Sequence, residues 1–137
     1  MILLTNQKTI FFDVDDTLVM DGFQQNGPLK NKLKKFKSPW GGPHEYLLPH
    51  ESHIAELKRA KREGFTVVVW SAGGALWANE VVRVLKLKDH VDVILSKPSE
   101  YWDDIDANDF MTRKYTTYKY WEDPDLAEEE NPEKVDS

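Results

Sequence analysis

The sequence predicts an α/β fold: a central parallel sheet with helices packed on it. Three observations point there. Short β-branched, apolar runs alternate with stretches of helical periodicity, in the order strand, helix, strand, helix, strand. That order suits a parallel sheet with right-handed crossovers. The run Phe65-Thr66-Val67-Val68-Val69-Trp70 is almost continuously apolar, as in a strand buried on both faces.

Thr9 to Val14 reads as the first strand, because it is short, β-branched and aromatic and ends in carboxylates. From Met20 to Pro49 glycine and proline recur, and five lysines (Lys30, Lys32, Lys34, Lys35, Lys37) crowd the middle. This stretch is predicted to be a long loop or small flap. A helix is expected from about His50 to Glu63, with Ile54, Leu57 and Ala60 inward and Lys58, Arg59, Lys61 and Arg62 in water. Gly64 suits its stop. After the Phe65–Trp70 strand and the turn Ser71-Ala72-Gly73-Gly74, Ala78, Val81, Val82 and Leu85 mark one face of a second helix, from about Ala75 to Lys86. Val91 to Leu95 is the third strand, and Tyr101 to Asp104 suggests a very short fourth.

The 137 residues suffice for one domain with a core. The expected division is a single catalytic domain over 1–121, with the flap inserted at about 20–49, and a tail over 122–137. Of the net charge of −6, the tail carries −7 through eight acids and Lys134, so the remaining 121 residues sum to +1. A near-neutral body does not repel an anionic substrate. The tail has two prolines and few apolar groups and is predicted to be disordered. The chain has no cysteine, which excludes disulfides and thiol chemistry and makes the cytoplasm the default location. No apolar run is long enough to span a bilayer, so no membrane partner is expected.

In open parallel sheets, sites form beyond the carboxyl ends of the strands. Each predicted strand here ends in a chemically capable residue: Asp13 and Asp15, then Ser71, then Lys97, then Asp103 and Asp104. Strand alternation lets Asp13 and Asp15 point the same way. Two carboxylates held that close repel, and a divalent cation relieves the repulsion. Oxygen ligands suit magnesium, which takes one or two protein carboxylates and keeps several waters. Ser71, before two glycines and a helix, suits an anion cradle. Lys97 suits phosphate charge. Taken singly, these residues are also explained as turn aspartates, a turn serine and surface charges. Their ordered arrival at one edge raises the functional reading.

That ordered set resembles the haloacid dehalogenase (HAD) superfamily. Asp13-Val14-Asp15-Asp16-Thr17-Leu18 is similar to its first motif, Trp70-Ser71-Ala72 to its second, Lys97-Pro98 to its third and Tyr101-Trp102-Asp103-Asp104 to its fourth. The resemblance implies a three-layer sandwich with a Rossmann-like core, the flap replacing a full cap domain. It implies a phosphatase in which Asp13 is the nucleophile and Asp15 the general acid and base. Thr17, Ser71, Ala72 and Lys97 would hold the phosphoryl group. Mg2+ would sit on Asp13, Asp15, Asp103 and Asp104, with Asp106 and Asp109 in reserve. Two departures stand out. Asp16 occupies a position where many members have glycine, and only five residues separate Lys97 from Asp103.

The open flap and its lysines favour a phosphorylated small molecule or a nucleic acid end as partner, with a nucleotide or polynucleotide phosphomonoester as the preferred substrate. Phe23, Phe36, Trp40 and Tyr46 suit stacking on bases, or equally the anchoring of a solvated loop. His44, His50, His53 and His90 are expected to be surface or packing residues. Tyr115, Tyr118, Tyr120 and Trp121 suggest an edge strand or packing arm. The alternative to an enzyme is a HAD-fold phosphate-binding or regulatory protein with little or no turnover.

Overall fold

A computed structural model describes residues 8–21 and 30–116. Its centre is a parallel sheet of three strands, β1 (Thr9–Asp13), β5 (Thr66–Ser71) and β6 (Val93–Ser96), with β5 in the middle. The β-branched core of β5 accounts for that position. Val67, Val68 and Val69 are buried, and both neighbours pair with them in register, Phe12 opposite Val69 and Val69 opposite Ile94. The chain is therefore α/β around a parallel sheet.

Helix α1 (Glu51–Arg62) buries Ile54, Leu57 and Ala60, while α2 (Ala75–Val84) buries Trp77, Ala78, Val81 and Val82. These side chains join Phe12, Val14, Val67 and Val69 in one cluster, so both helices cover the same face of the sheet. The opposite face carries Phe11, Trp70, Val93 and Leu95, all partly exposed, with the Phe11 and Trp70 rings 4.3 Å apart. Among the described residues the architecture has two layers rather than the expected three. At the amino edge, the Asp92 carboxylate accepts the Val67 N–H at 2.8 Å and pairs with Lys61 at 2.6 Å. Those two contacts hold its pKa below the usual carboxylate value.

The interrupted stretch is more regular than its glycines and prolines suggest. Strands β2 (Val19–Met20), β3 (Lys34–Phe36) and β4 (Glu45–Pro49) form a small antiparallel sheet in the order β2-β4-β3. Pro49 is tolerated because it ends its strand. Phe36, fully buried, meets Trp77 of α2 edge-on at 5.8 Å. Leu47 is buried in the same cluster. The flap is thus pinned to the main core by side chains from alternate positions of its strands.

A further sequence expectation changes. Tyr101 to Asp104 form no strand; this stretch is exposed and is followed by a single helical turn, α3 (Ala107–Phe110). With Lys97 directly after β6 and Asp103 so soon after, the connection is too short to leave the sheet and return as a paired strand. Of the two roles expected for His50 and His53, surface or packing, the structure gives them packing: both are buried. Phe23, the tail 122–137 and residues 118–121 lie outside the described residues. Among the described residues, no helix is long and apolar enough to cross a membrane.

The pinning of the flap has a measurable consequence. Phe36→Ala removes a fully buried ring shared by both sheets and should destabilise the protein by about 3–5 kcal/mol. Urea denaturation followed by circular dichroism measures this, and a loss below about 1 kcal/mol would mean that the flap is not part of the core.

Candidate active site

The chain leaves β1 through a tight curl. The Val14 carbonyl accepts the N–H groups of Thr17, Leu18 and Val19 at 3.2, 2.8 and 3.2 Å, while Asp16 N–H donates to the Val19 carbonyl at 2.8 Å. Val14, Leu18 and Val19 turn into the core, and Asp13 and Asp15 turn outward. The curl needs one residue in the left-handed region, and Asp16 takes it with φ of 63°. Aspartate is among the few non-glycine residues that tolerate this conformation. The first departure from the HAD pattern therefore has a backbone explanation: glycine and aspartate meet the same demand.

Asp13 lies at the carboxyl end of β1, beside Trp70 of β5. One carboxylate oxygen accepts the Thr17 hydroxyl at 3.2 Å, and the other lies 4.0 Å from Lys97 Nζ. Lys97 is placed by the parallel ladder, since its backbone N–H donates to the Ser71 carbonyl at 2.8 Å. The Asp13–Lys97 pair is partly exposed, so its worth lies in orientation and local charge more than in stability.

Asp15 is held by Trp77. The indole N–H reaches both carboxylate oxygens, at 3.2 and 3.3 Å. The Asp15 pKa is raised above the ordinary aspartate value, chiefly by desolvation. The indole hydrogen bond opposes that rise, and the carboxylates of Asp13, Asp16 and Asp21 add to it. The residue as a whole stays open to solvent, so only its carboxylate end feels this environment. Two neighbouring carboxylates thus have different surroundings: Asp13 faces a lysine and a hydroxyl, Asp15 a ring and other acids. Such a separation suits one nucleophile and one proton donor.

Ser71 ends β5 fully buried, and its hydroxyl accepts the Gly73 N–H at 3.0 Å. In this structure it builds the turn that carries Ala72, which is exposed. Gly74, at φ of 105°, completes the turn, and the Ala75 N–H at the start of α2 donates to Ser96 Oγ at 2.9 Å. Asp103 and Asp104 are exposed, and one Asp103 oxygen accepts the Ile105 N–H at 3.0 Å. Asp106 caps α3 through the Asn108 N–H, and Asp109 is exposed in the same turn.

The structure therefore brings Asp13, Thr17, Lys97 and Asp15 together with Trp77. It does not join Asp103 or Asp104 to them by hydrogen bond or ion pair. Among the described residues, no three histidine or acidic side chains are gathered as a cluster. Of the magnesium set implied by the resemblance, Asp15 would contribute its main-chain carbonyl, and the structure does not gather the Asp13, Asp103 and Asp104 side chains into one group. The hard oxygen of Asp13 that faces Lys97 across 4.0 Å suits such an ion. Asp103 or Asp104 would complete the set from the connection after Lys97.

Sequence reasoning missed Trp77 and the histidine pair. Trp77 reads as one more apolar residue on α2. His50 and His53 stack at 3.6 Å, and the Tyr115 ring stands edge-on against both. Thr116 N–H donates to His53 Nε2 at 2.9 Å, so that nitrogen carries no proton. The proton is on Nδ1, which donates to the Thr17 carbonyl at 2.7 Å. Tyr115 Oη donates to the Asp16 carbonyl at 3.0 Å. The later chain thereby straps the outer carbonyls of the curl after β1. The spacing of His50 and His53 was visible, but the arrival of Tyr115, far along the sequence, was not. Compared with known proteins, the chain matches no family model, no curated protein and no solved structure.

Burial, together with the neighbouring His53, lowers the His50 pKa to about 4. In the unfolded chain this group titrates near 6.5. The folded state resists protonation, so stability is complete above about pH 6.5 and is lost as pH falls toward about 4, by roughly 2–3 kcal/mol. Urea midpoints across that window should fall in the wild type. His50→Asn, which keeps a capping acceptor, should flatten the fall; an unchanged slope would assign the acid sensitivity to carboxylates.

Proposed function

We propose that this chain is a magnesium-dependent phosphomonoester hydrolase of the HAD type, working in the cytoplasm on a nucleotide or the phosphate end of a polynucleotide. The observation that carries the reading is the setting of Asp13, with Lys97 at 4.0 Å from one oxygen and the Thr17 hydroxyl on the other. The reading includes a three-layer, Rossmann-like core, and the apolar outer face of Phe11, Trp70, Val93 and Leu95 is the kind of surface a third layer covers.

In this mechanism an Asp13 oxygen attacks phosphorus and the ester P–O bond breaks. The leaving oxygen takes its proton from Asp15, whose pKa is raised above the ordinary aspartate value, chiefly by burial. Asp15 then accepts a proton from water as that water attacks the aspartyl-phosphate, releasing phosphate and restoring Asp13. Lys97 and Thr17 hold the charge and orientation of the transferring group, with the exposed Ala72 turn beside them. Ser71 supports that turn from below. Asp13, Asp15 and Asp103 or Asp104 would hold magnesium, which would supply charge neutralisation for the phosphoryl oxygens.

A second reading, a phosphate-binding protein without turnover, is favoured by two specific observations. The Ser71 side chain is enclosed, and Asp103 is used in a local turn.

Hydrolysis of p-nitrophenyl phosphate and nucleoside monophosphates separates the two. Under the first reading, activity requires magnesium, disappears on chelation, and falls by roughly 10³-fold or more in Asp13→Asn. Activity indifferent to that substitution would sink the hydrolase mechanism. Phosphate binding without any turnover would favour the second reading. The acid role of Asp15 has its own signature. The rate should fall as pH rises through the raised Asp15 pKa. Trp77→Phe removes the donor that holds that pKa down, so the alkaline limb should move to higher pH. A limb that stays in place would argue against Asp15 as the acid.

A further inference from the structure

Trp40 sits on the loop between β3 and β4 and is 67% exposed, although it is in a defined place. Its ring centroid lies 6.3 Å from that of Trp77, the residue that holds Asp15. Its far edge reaches the second turn of the site: a Cβ built on Gly73 would stand 3.5 Å from Trp40 Cη2 and 3.3 Å from both Ser71 Oγ and Trp77 Cδ1. The root of the loop is fixed, because Lys37 N–H donates to Glu80 of α2 at 2.7 Å. Ser38 Oγ accepts the Trp40 N–H at 3.3 Å, and Gly41 and Gly42 turn the chain at φ of 84° and 90°. An exposed indole backed by a second indole and held at its root is preorganised, so little ordering cost remains for a ring that stacks on it.

The surroundings select the ring. A groove of about 400 Å³ runs between the loop and α2, lined by Pro39 and Gly41, the chain neighbours of Trp40, and by Lys37, Leu76, Asn79 and Arg83; the Trp40 ring itself lies outside that lining. Its one carboxylate, Glu80, is already engaged by Arg83 and the Lys37 N–H. Lys34 and Lys35 are exposed on the adjoining strand. An exposed indole on a loop that also carries Lys37 fits a base attached to a phosphate, and a bare sugar phosphate has nothing to stack. Trp40 is also placed on the side of Asp15, the group that meets the leaving oxygen.

We propose that Trp40 is the base-stacking platform of the site, so that the leaving group of the ester is a nucleoside. This rests on the phosphatase reading for the location of the phosphate, but stacking itself does not require turnover. The test compares adenosine 5′-monophosphate with ribose 5-phosphate, by calorimetric binding to the full chain and by kcat/KM. The wild type should favour the nucleotide by about tenfold or more in both. In Trp40→Ala the two esters should converge, and Trp40→Phe should keep most of the preference. Equal binding of the two esters by the wild type, or a preference that survives Trp40→Ala, would overturn the proposal. Hydrolysis of both esters with equal kcat/KM would also overturn it while leaving the hydrolase standing. A tenfold binding preference with no hydrolysis of either ester would support the platform and end the phosphatase reading.

Discussion

The Val14 carbonyl is the point on which the site turns. By collecting three successive N–H groups it bends the chain within five residues of the end of β1. That bend decides which side chains are core and which are chemistry. Val14, Leu18 and Val19 go inward because nothing else satisfies their apolar surface, and Asp13 and Asp15 are thereby fixed outward. It also fixes where the Asp16 and Thr17 carbonyls point, and Tyr115 and His53 bind both. The Leu18 carbonyl accepts the His50 N–H at 2.9 Å, which places the start of α1. A loop that carries two or three negative charges is a poor candidate for stability on its own. Here it is held from three directions by neutral donors.

Trp77 plays a comparable part on the other side. Its ring is buried in the core with α2, touches Phe36 of the flap edge-on and backs Trp40. Its one polar atom leaves that apolar setting to hold Asp15. An indole suits this position because it is a large apolar body with a single donor at its rim. Movement of the flap relative to α2 would therefore be felt at Asp15 through one rigid ring. The Glu80 contact to the Lys37 backbone opposes such movement at the root of the same loop.

Local pattern made much of this legible in the sequence. The helix faces at Ile54, Leu57 and Ala60 and at Ala78, Val81 and Val82, and the doubly buried Val67–Val69, follow from periodicity that packing did not override. The gathering of Asp13 and Lys97 at one edge follows from parallel topology. The rest needed contacts between distant residues. β3 and β4 were hidden because glycine and proline set the turns between them while their few buried residues, Phe36, Leu47 and Leu48, are too sparse for a period. The fourth strand failed because alternation alone does not supply a pairing partner. His50 and His53 showed helical spacing, but nothing local says that a tyrosine sixty residues on will cover them.

The electrostatics of the curl bring these threads together. Burial raises the Asp15 pKa above the ordinary aspartate value, and the carboxylates of Asp13, Asp16 and Asp21 add to that rise. Lys97 reaches Asp13, and the Trp77 N–H reaches Asp15, but neither removes the accumulated negative charge. Under the proposed hydrolase reading, a phosphate arriving alone would meet repulsion from these carboxylates. In the proposed mechanism a divalent cation would offset that negative charge where the phosphate arrives. The two aspartates thus sit in different environments two residues apart, Asp13 facing a lysine and a hydroxyl, Asp15 an indole and other acids.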